Sequence, residues 1–108
     1  MRKIKTHDVF KLARIIRISG AKKELTEALR ASQEGDAREV GIDLIMTLVS
    51  VCGEEEVEKQ LYELIGNISE KKPEEIEDLN LDEFIDLIKE IGEQNNLSNF
   101  FNTAVKSA

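Results

Sequence analysis

The chain has 108 residues, 41% apolar and 34% charged, with one Pro, one Cys and no Trp, which is room for one domain spanning 1–108. No apolar run approaches the ~18 residues of a membrane span, no apolar signal core follows Met1-Arg2-Lys3, and a lone Cys52 cannot form an internal disulfide; a cytoplasmic protein is expected. The net charge of −7 is uneven, with nine Lys/Arg against three acids in residues 1–33 and six against nineteen in residues 34–108, or +6 against −13.

Helix signals run through the whole chain, and no alternating strand pattern with hairpin turns appears. The first helix is predicted from Thr6, as N-cap, to Ile18. Val9, Phe10, Leu12, Ala13 and Ile16 recur at helical spacing, Lys11, Arg14 and Arg17 lie on the other side, and Ser19-Gly20 stops it. A second helix, about 22–33, carries a thin apolar stripe of Leu25, Ala28 and Leu29 that suits the periphery. Asp36 and Glu39 form a capping box for a third helix, Ala37 to Cys52. Its apolar residues, from Val40 through Val51, leave little polar face, so it is expected at the centre, touched by several others.

Glu54-Glu55-Glu56 opens the fourth helix, where carboxylates meet the positive end of the helix dipole. Its stripe is Val57, Leu61, Leu64, Ile65 and Ile68. Pro73 starts a short helical turn, as Pro does at a first helical position. Asn80 and Glu83 form another capping box, opening a helix to about Gln94 with Leu81, Phe84, Ile85, Leu87, Ile88 and Ile91 facing inward. After Asn95-Asn96 a last short helix carries Leu97, Phe100, Phe101, Ala104 and Val105. The expected architecture is all-α, a compact bundle of five to seven helices around the apolar helix 37–52.

Sequence signals for chemistry fail one by one. Asp78, Asn80 and Asp82 imitate the opening of a calcium loop, but the sixth and twelfth positions, which need Gly and Glu, hold Glu83 and Lys89. The same stretch resembles the lead-in of an acyl carrier protein, yet Glu83 stands where the carrier serine belongs. The one His, His7 beside Asp8, reads as a surface residue without a positioned partner for acid–base work. No phosphate loop, zinc spacing or nucleophile motif is present. The chain is expected to bind other proteins rather than catalyse, with no cofactor and no metal. Nucleic acid has a physical basis only in the Lys11, Arg14, Arg17 stripe, and the acidity of the whole chain opposes it.

Three sets of residues are candidates for partner binding. Lys11, Arg14 and Arg17 can face an acidic surface of the same or a sister chain, with 54–58 and 74–78 as counterparts. Leu81, Phe84, Ile88 and Ile91 can line a groove. Leu97, Phe100 and Phe101 can form a movable lid over it, one of the adjacent rings sealing the bundle and the other near the surface, because neighbours on a helix point about 100° apart. The alternative is that both rings belong to the core.

The order of these features resembles the tail assembly chaperones of long-tailed, siphovirus-type bacteriophages and prophages of Gram-positive bacteria. The resemblance covers nearly the whole length. It begins at Asp8-Val9-Phe10-Lys11 and continues through Glu39-Val40-Gly41-Ile42-Asp43-Leu44-Ile45 and the acidic helix after Gly53. Lys72-Pro73-Glu74-Glu75-Ile76-Glu77-Asp78-Leu79-Asn80-Leu81-Asp82-Glu83-Phe84 carries it most clearly, followed by Ile88, Asn96-Leu97 and Phe100-Phe101. It implies a protein absent from the finished virion that binds the long helical tape measure protein and keeps it soluble during tail assembly. It also implies a longer product made by ribosomal frameshifting, for which Ala108 would end the short form, and self-association is a further expectation. The competing reading is a generic helical adaptor or regulator, with nucleic acid on the basic first helix.

Overall fold

The computed structural model describes residues 1–31, 37–51 and 53–108, with residues 37–40 described through their backbone, and the described residues form seven α-helices. They are α1 (Thr6–Ser19), α2 (Lys22–Ala31), α3 (Ala37–Val51), α4 (Glu55–Ser69), α5 (Pro73–Glu77), α6 (Leu81–Gln94) and α7 (Leu97–Ser107). No strand occurs among the described residues, and the all-α bundle of five to seven helices is what forms. No helix of the structure is long and apolar enough to cross a membrane. The Asp36–Glu39 capping box and the surroundings of Cys52 lie outside the described residues.

Local signals set most helix ends. Gly20 takes the left-handed conformation, φ 70°, and its N–H donates to the Ile16 carbonyl, a conformation glycine enters without the steric cost a Cβ brings. Pro73 sits in the first turn of α5. At α6 the Asn80 side-chain Oδ1 accepts from the Glu83 N–H at 2.9 Å, and the Asn80 backbone N–H donates to Glu83 Oε1 at 3.2 Å. At α7 Asn96 Oδ1 accepts from the Asn99 N–H.

The start of α1 differs from the expectation. Lys5, not Thr6, is the N-cap, and its N–H donates to Asp8 Oδ2 at 2.8 Å. Asp8 also receives both Arg2 guanidinium nitrogens, at 2.6 and 2.7 Å, and is 1% exposed. A carboxylate so held matches the planar fork of arginine and draws the chain upstream of α1 down onto the bundle. Arg2 N–H then donates to the Ile68 carbonyl, Lys3 Nζ to the Gln94 carbonyl and Ile4 N–H to Asn95 Oδ1. Four residues before the first helix thereby tie α4 and the end of α6 to α1.

The core runs from Leu12, Ile15 and Ile16 through Leu44, Ile45 and Leu48 to Leu64, Ile65, Ile88, Ile91 and Phe101, all buried. Phe10 departs from its expected inward position and Ile15 takes its place: Phe10 is 59% exposed and Ile15 is buried. The reason is angular. Residues 10, 14 and 17 are spaced by four and three, so Phe10 shares a face with Arg14 and Arg17. The apolar helix α3 packs against α2, α6 and α7 and buries Leu44, Ile45 and Leu48. It is not enclosed, because Met46 and Val49 stay exposed on its remaining side.

Of the two readings of the adjacent rings, the one that places both in the core holds, and the one that leaves a ring near the surface does not. Phe100 and Phe101 are both buried, edge to face with ring centroids 5.9 Å apart. Rings about 100° apart can both be covered because α7 is flanked by α1, α2 and α3. Gly41 of α3 supplies part of that fit, since a Cβ there would stand 2.6 Å from Leu97 Cδ1. The radius of gyration of 12.5 Å matches the roughly 13 Å of a compact domain of this length, with α7 inside it.

Two outcomes follow. Phe101→Ala should lower stability by about 3–5 kcal/mol, as truncating a buried aromatic does, read by urea unfolding; a loss under about 0.5 kcal/mol would place the ring at the surface. Burial alone pushes the Asp8 carboxyl up, but the Arg2 hydrogen bond, the Lys5 N–H and the Arg2 charge outweigh it and hold its pKa below the ordinary value. Its stabilisation is therefore full above the unfolded-state value near 3.9 and is lost as pH falls through the lower folded value. Arg2→Ala should cost about 1–3 kcal/mol at neutral pH, because it strips a buried carboxylate of its partner, and Asp8→Asn should flatten the acid limb of the stability profile. An unchanged acid limb in Asp8→Asn would assign the pH dependence to other groups.

Candidate protein-binding cleft

Exposed apolar side chains, rather than catalytic groups, mark the candidate site. Among the described residues no group of three or more His, Cys, Asp and Glu is placed to hold a metal ion. His7 is exposed. The uncovered side of α3 faces α4, α5 and the start of α6 across a cleft of about 290 Å³ lined by Met46, Val49, Leu61, Tyr62, Ile76, Leu79, Leu81 and Phe84, with Glu58 and Glu77 as its charged members. Leu81 is 63% exposed, Val49 41% and Met46 37%.

Each wall has a local cause. Leu81 occupies the first position of α6, directly after the Asn80 cap, where the preceding residues turn away and no neighbour covers it. Phe84 follows one turn later, half-buried. Ile76 anchors the short α5 in the core, and the turn after it carries Leu79 into the cleft wall. Tyr62 stands on the edge, donating its hydroxyl to Glu58 Oε1 at 2.7 Å. That hydrogen bond, with partial burial and the charges of Glu58 and Glu77, pushes the Tyr62 phenol up to about 12. Beyond Tyr62 lies an acidic depression with Glu55, Glu63 and Glu74 in its walls against one lysine, Lys59.

The groove expected from Leu81, Phe84, Ile88 and Ile91 divides in two. All four lie on one stripe of α6, but the helix is roughly 21 Å long at 1.5 Å per residue and its two ends meet different surroundings. Leu81 and Phe84 line the open cleft. Ile88 and Ile91 are buried against Leu97, Phe100 and Phe101 around an apolar void of about 20 Å³. The expected lid is thus part of the core and does not cover the cleft. Met46, Val49, Tyr62 and Leu79 were not singled out by the sequence for binding. The excess apolarity of α3 was the signal, since such a helix has more apolar surface than its neighbours can cover.

The basic residues also separate. Lys11 Nζ pairs with Glu63 Oε2 at 3.1 Å, joining α1 to α4; its counterpart is in the acidic helix of the same chain, five residues beyond the expected 54–58 stretch. Arg17 reaches the Ser107 carbonyl at 3.5 Å. Arg14 is exposed without a hydrogen-bond or ion-pair partner among the described residues. A depression of about 450 Å³ runs between α1 and α7, with Asn95, Asn96, Asn99, Thr103 and Ser107 in its walls; it is larger than the cleft but more polar.

No protein-family profile, curated protein or solved structure matches the chain. The two halves of the α6 stripe separate experimentally. Leu81→Glu should change stability by no more than about 0.5 kcal/mol, as exposed positions do. Ile88→Ala should cost about 2–5 kcal/mol. Chemical denaturation of the two variants checks both, and equal costs would contradict the division.

Proposed function

We propose that this protein is a tail assembly chaperone of a long-tailed bacteriophage or prophage of a Gram-positive host, acting in the host cytoplasm without catalysis. On this reading it binds the helical tape measure protein and keeps it soluble until the tail tube assembles. The observation that carries the proposal is the apolar cleft between α3 and α6 on an all-helical domain. Together with the resemblance in residue order, it suits a client that is itself a long helix. A long helix with an apolar stripe aggregates when free, and an apolar groove between helices receives such a stripe through side chains at i, i+3, i+4 and i+7. A longer frameshifted product would continue from the end of α7.

Co-expression with the tape measure protein of the same phage genome tests the proposal. The client should stay soluble and co-purify with the chain. Leu81→Glu combined with Met46→Glu should weaken its binding by at least about tenfold, as a change at the centre of an interface does, while circular dichroism shows the helices retained. A folded double variant that holds the client as well as the parent does, or a client soluble without the chain, overturns the proposal.

A further inference from the structure

We infer that the helix received by the cleft is basic at one end: a segment of a different protein whose apolar stripe seats on α3 and α6 and runs on into Lys or Arg over the acidic depression of α4 and α5. The inference rests on the reading of the cleft as a helix-binding groove and adds the charge pattern of its occupant. The apolar cleft and the acidic depression adjoin. Glu58, Tyr62 and Glu77 line both, so a helix that lies in the cleft and continues past Tyr62 passes from apolar walls to carboxylates. On the cleft side Met46, Val49 and Leu81 are exposed. The depression, of about 340 Å³, is walled by five glutamates, three from α4 and two from α5, against Lys59 alone.

The fold leaves most of these carboxylates uncompensated. Glu63 pairs with Lys11, and Glu58 accepts the Tyr62 hydroxyl. Glu55, Glu74 and Glu77 are exposed and have no ion-pair partner among the described residues. Packing α5 on α4 brings these like charges together, where they repel. The described carboxylates are not grouped to hold a metal ion, so the charge calls for cations spaced along a chain. Lys and Arg supply them and can lay their methylene stems along an apolar edge such as Tyr62. A client segment with acidic residues at this end meets like charge, which discriminates against it as strongly as the basic one is favoured. The net charge of −7 adds attraction at longer range for a basic segment.

Fluorescein-labelled synthetic peptides of ~20 residues, about 30 Å as a helix, test the inference by fluorescence anisotropy against the full chain. One carries Leu at i, i+3, i+4 and i+7 followed by a run of Lys and Arg. A second has Glu in place of that run, and a third scrambles the first so that no stripe forms. The first should bind at least about tenfold more tightly than either of the others. Glu74→Lys with Glu77→Lys, both at exposed positions, should turn the preference toward the Glu-ended peptide with helix content unchanged. On the parent chain, raising salt from about 0.05 to about 0.5 M should narrow the gap, a readout that needs no variant. Leu81→Glu should weaken binding of the first peptide. Striped peptides that bind equally whatever their charge overturn the inference and leave the helix-binding reading in place. A scrambled peptide that binds as well as the first, or binding indifferent to Leu81→Glu, overturns it by placing the attraction outside the cleft. Failure of every peptide to bind overturns it too, while co-expression with the tape measure protein decides the helix-binding reading separately.

Discussion

α7 carries adjacent phenylalanines, and burying both requires partners on more than one side of one short helix. α1, α2 and α3 provide them, and much of the molecule follows from that demand. α3 spends its face with Leu44, Ile45 and Leu48 on α7, α2 and α6. With those neighbours in place nothing remains to cover Met46 and Val49. The cleft is thus what is left of an unusually apolar helix after its neighbours have been satisfied. The apolar surface left on α3 is therefore carried by helices of the bundle, where side chains hold their positions.

A second organising contact lies before the first helix. Asp8 is buried with Arg2 and caps Lys5, joining the first residues of the chain to the helix they precede. The neighbouring residues hold α4 and the α6–α7 junction through backbone carbonyls and the Asn95 side chain. The positive charge that the sequence concentrates in its first third is thus partly used up inside the molecule, by Arg2 on Asp8 and by Lys11 on Glu63. What stays outside is narrower than composition suggests, and Arg14 and Arg17 are its main representatives on α1.

The helices were legible because their ends are written locally. Gly20, Pro73 and the Asn80–Glu83 pair act over three or four residues, and their geometry is as the spacing implies. What was not legible depends on distant residues. Asp8 reads as a first-turn acid until Arg2 folds back onto it. Phe10 and Ile15 exchange roles because the helical pattern admits two neighbouring faces and only α4 and α7 decide between them. The residues of the candidate groove divide between two environments, for periodicity reports the face of α6 and not how far along the helix its cover extends. Leu81 and Ile88 obey the same pattern and live in different environments. For Phe100 and Phe101 the sequence left two readings, and the core reading holds because angular separation limits burial only for a helix with a single neighbour.

The pairing of α1 with α7 has a consequence for how the molecule is made. These helices stand at opposite ends of the described chain and pack closely, with Arg17 reaching Ser107 across ninety positions of sequence. Helical domains generally fold fast because their contacts are local, and closing distant segments first costs chain entropy. On a ribosome α1 emerges first and waits for α7, with Leu12, Ile15 and Ile16 uncovered in the interval. The bundle can complete its core only once α7 has cleared the exit tunnel, so the core closes on this helix in one late step rather than growing with each earlier one.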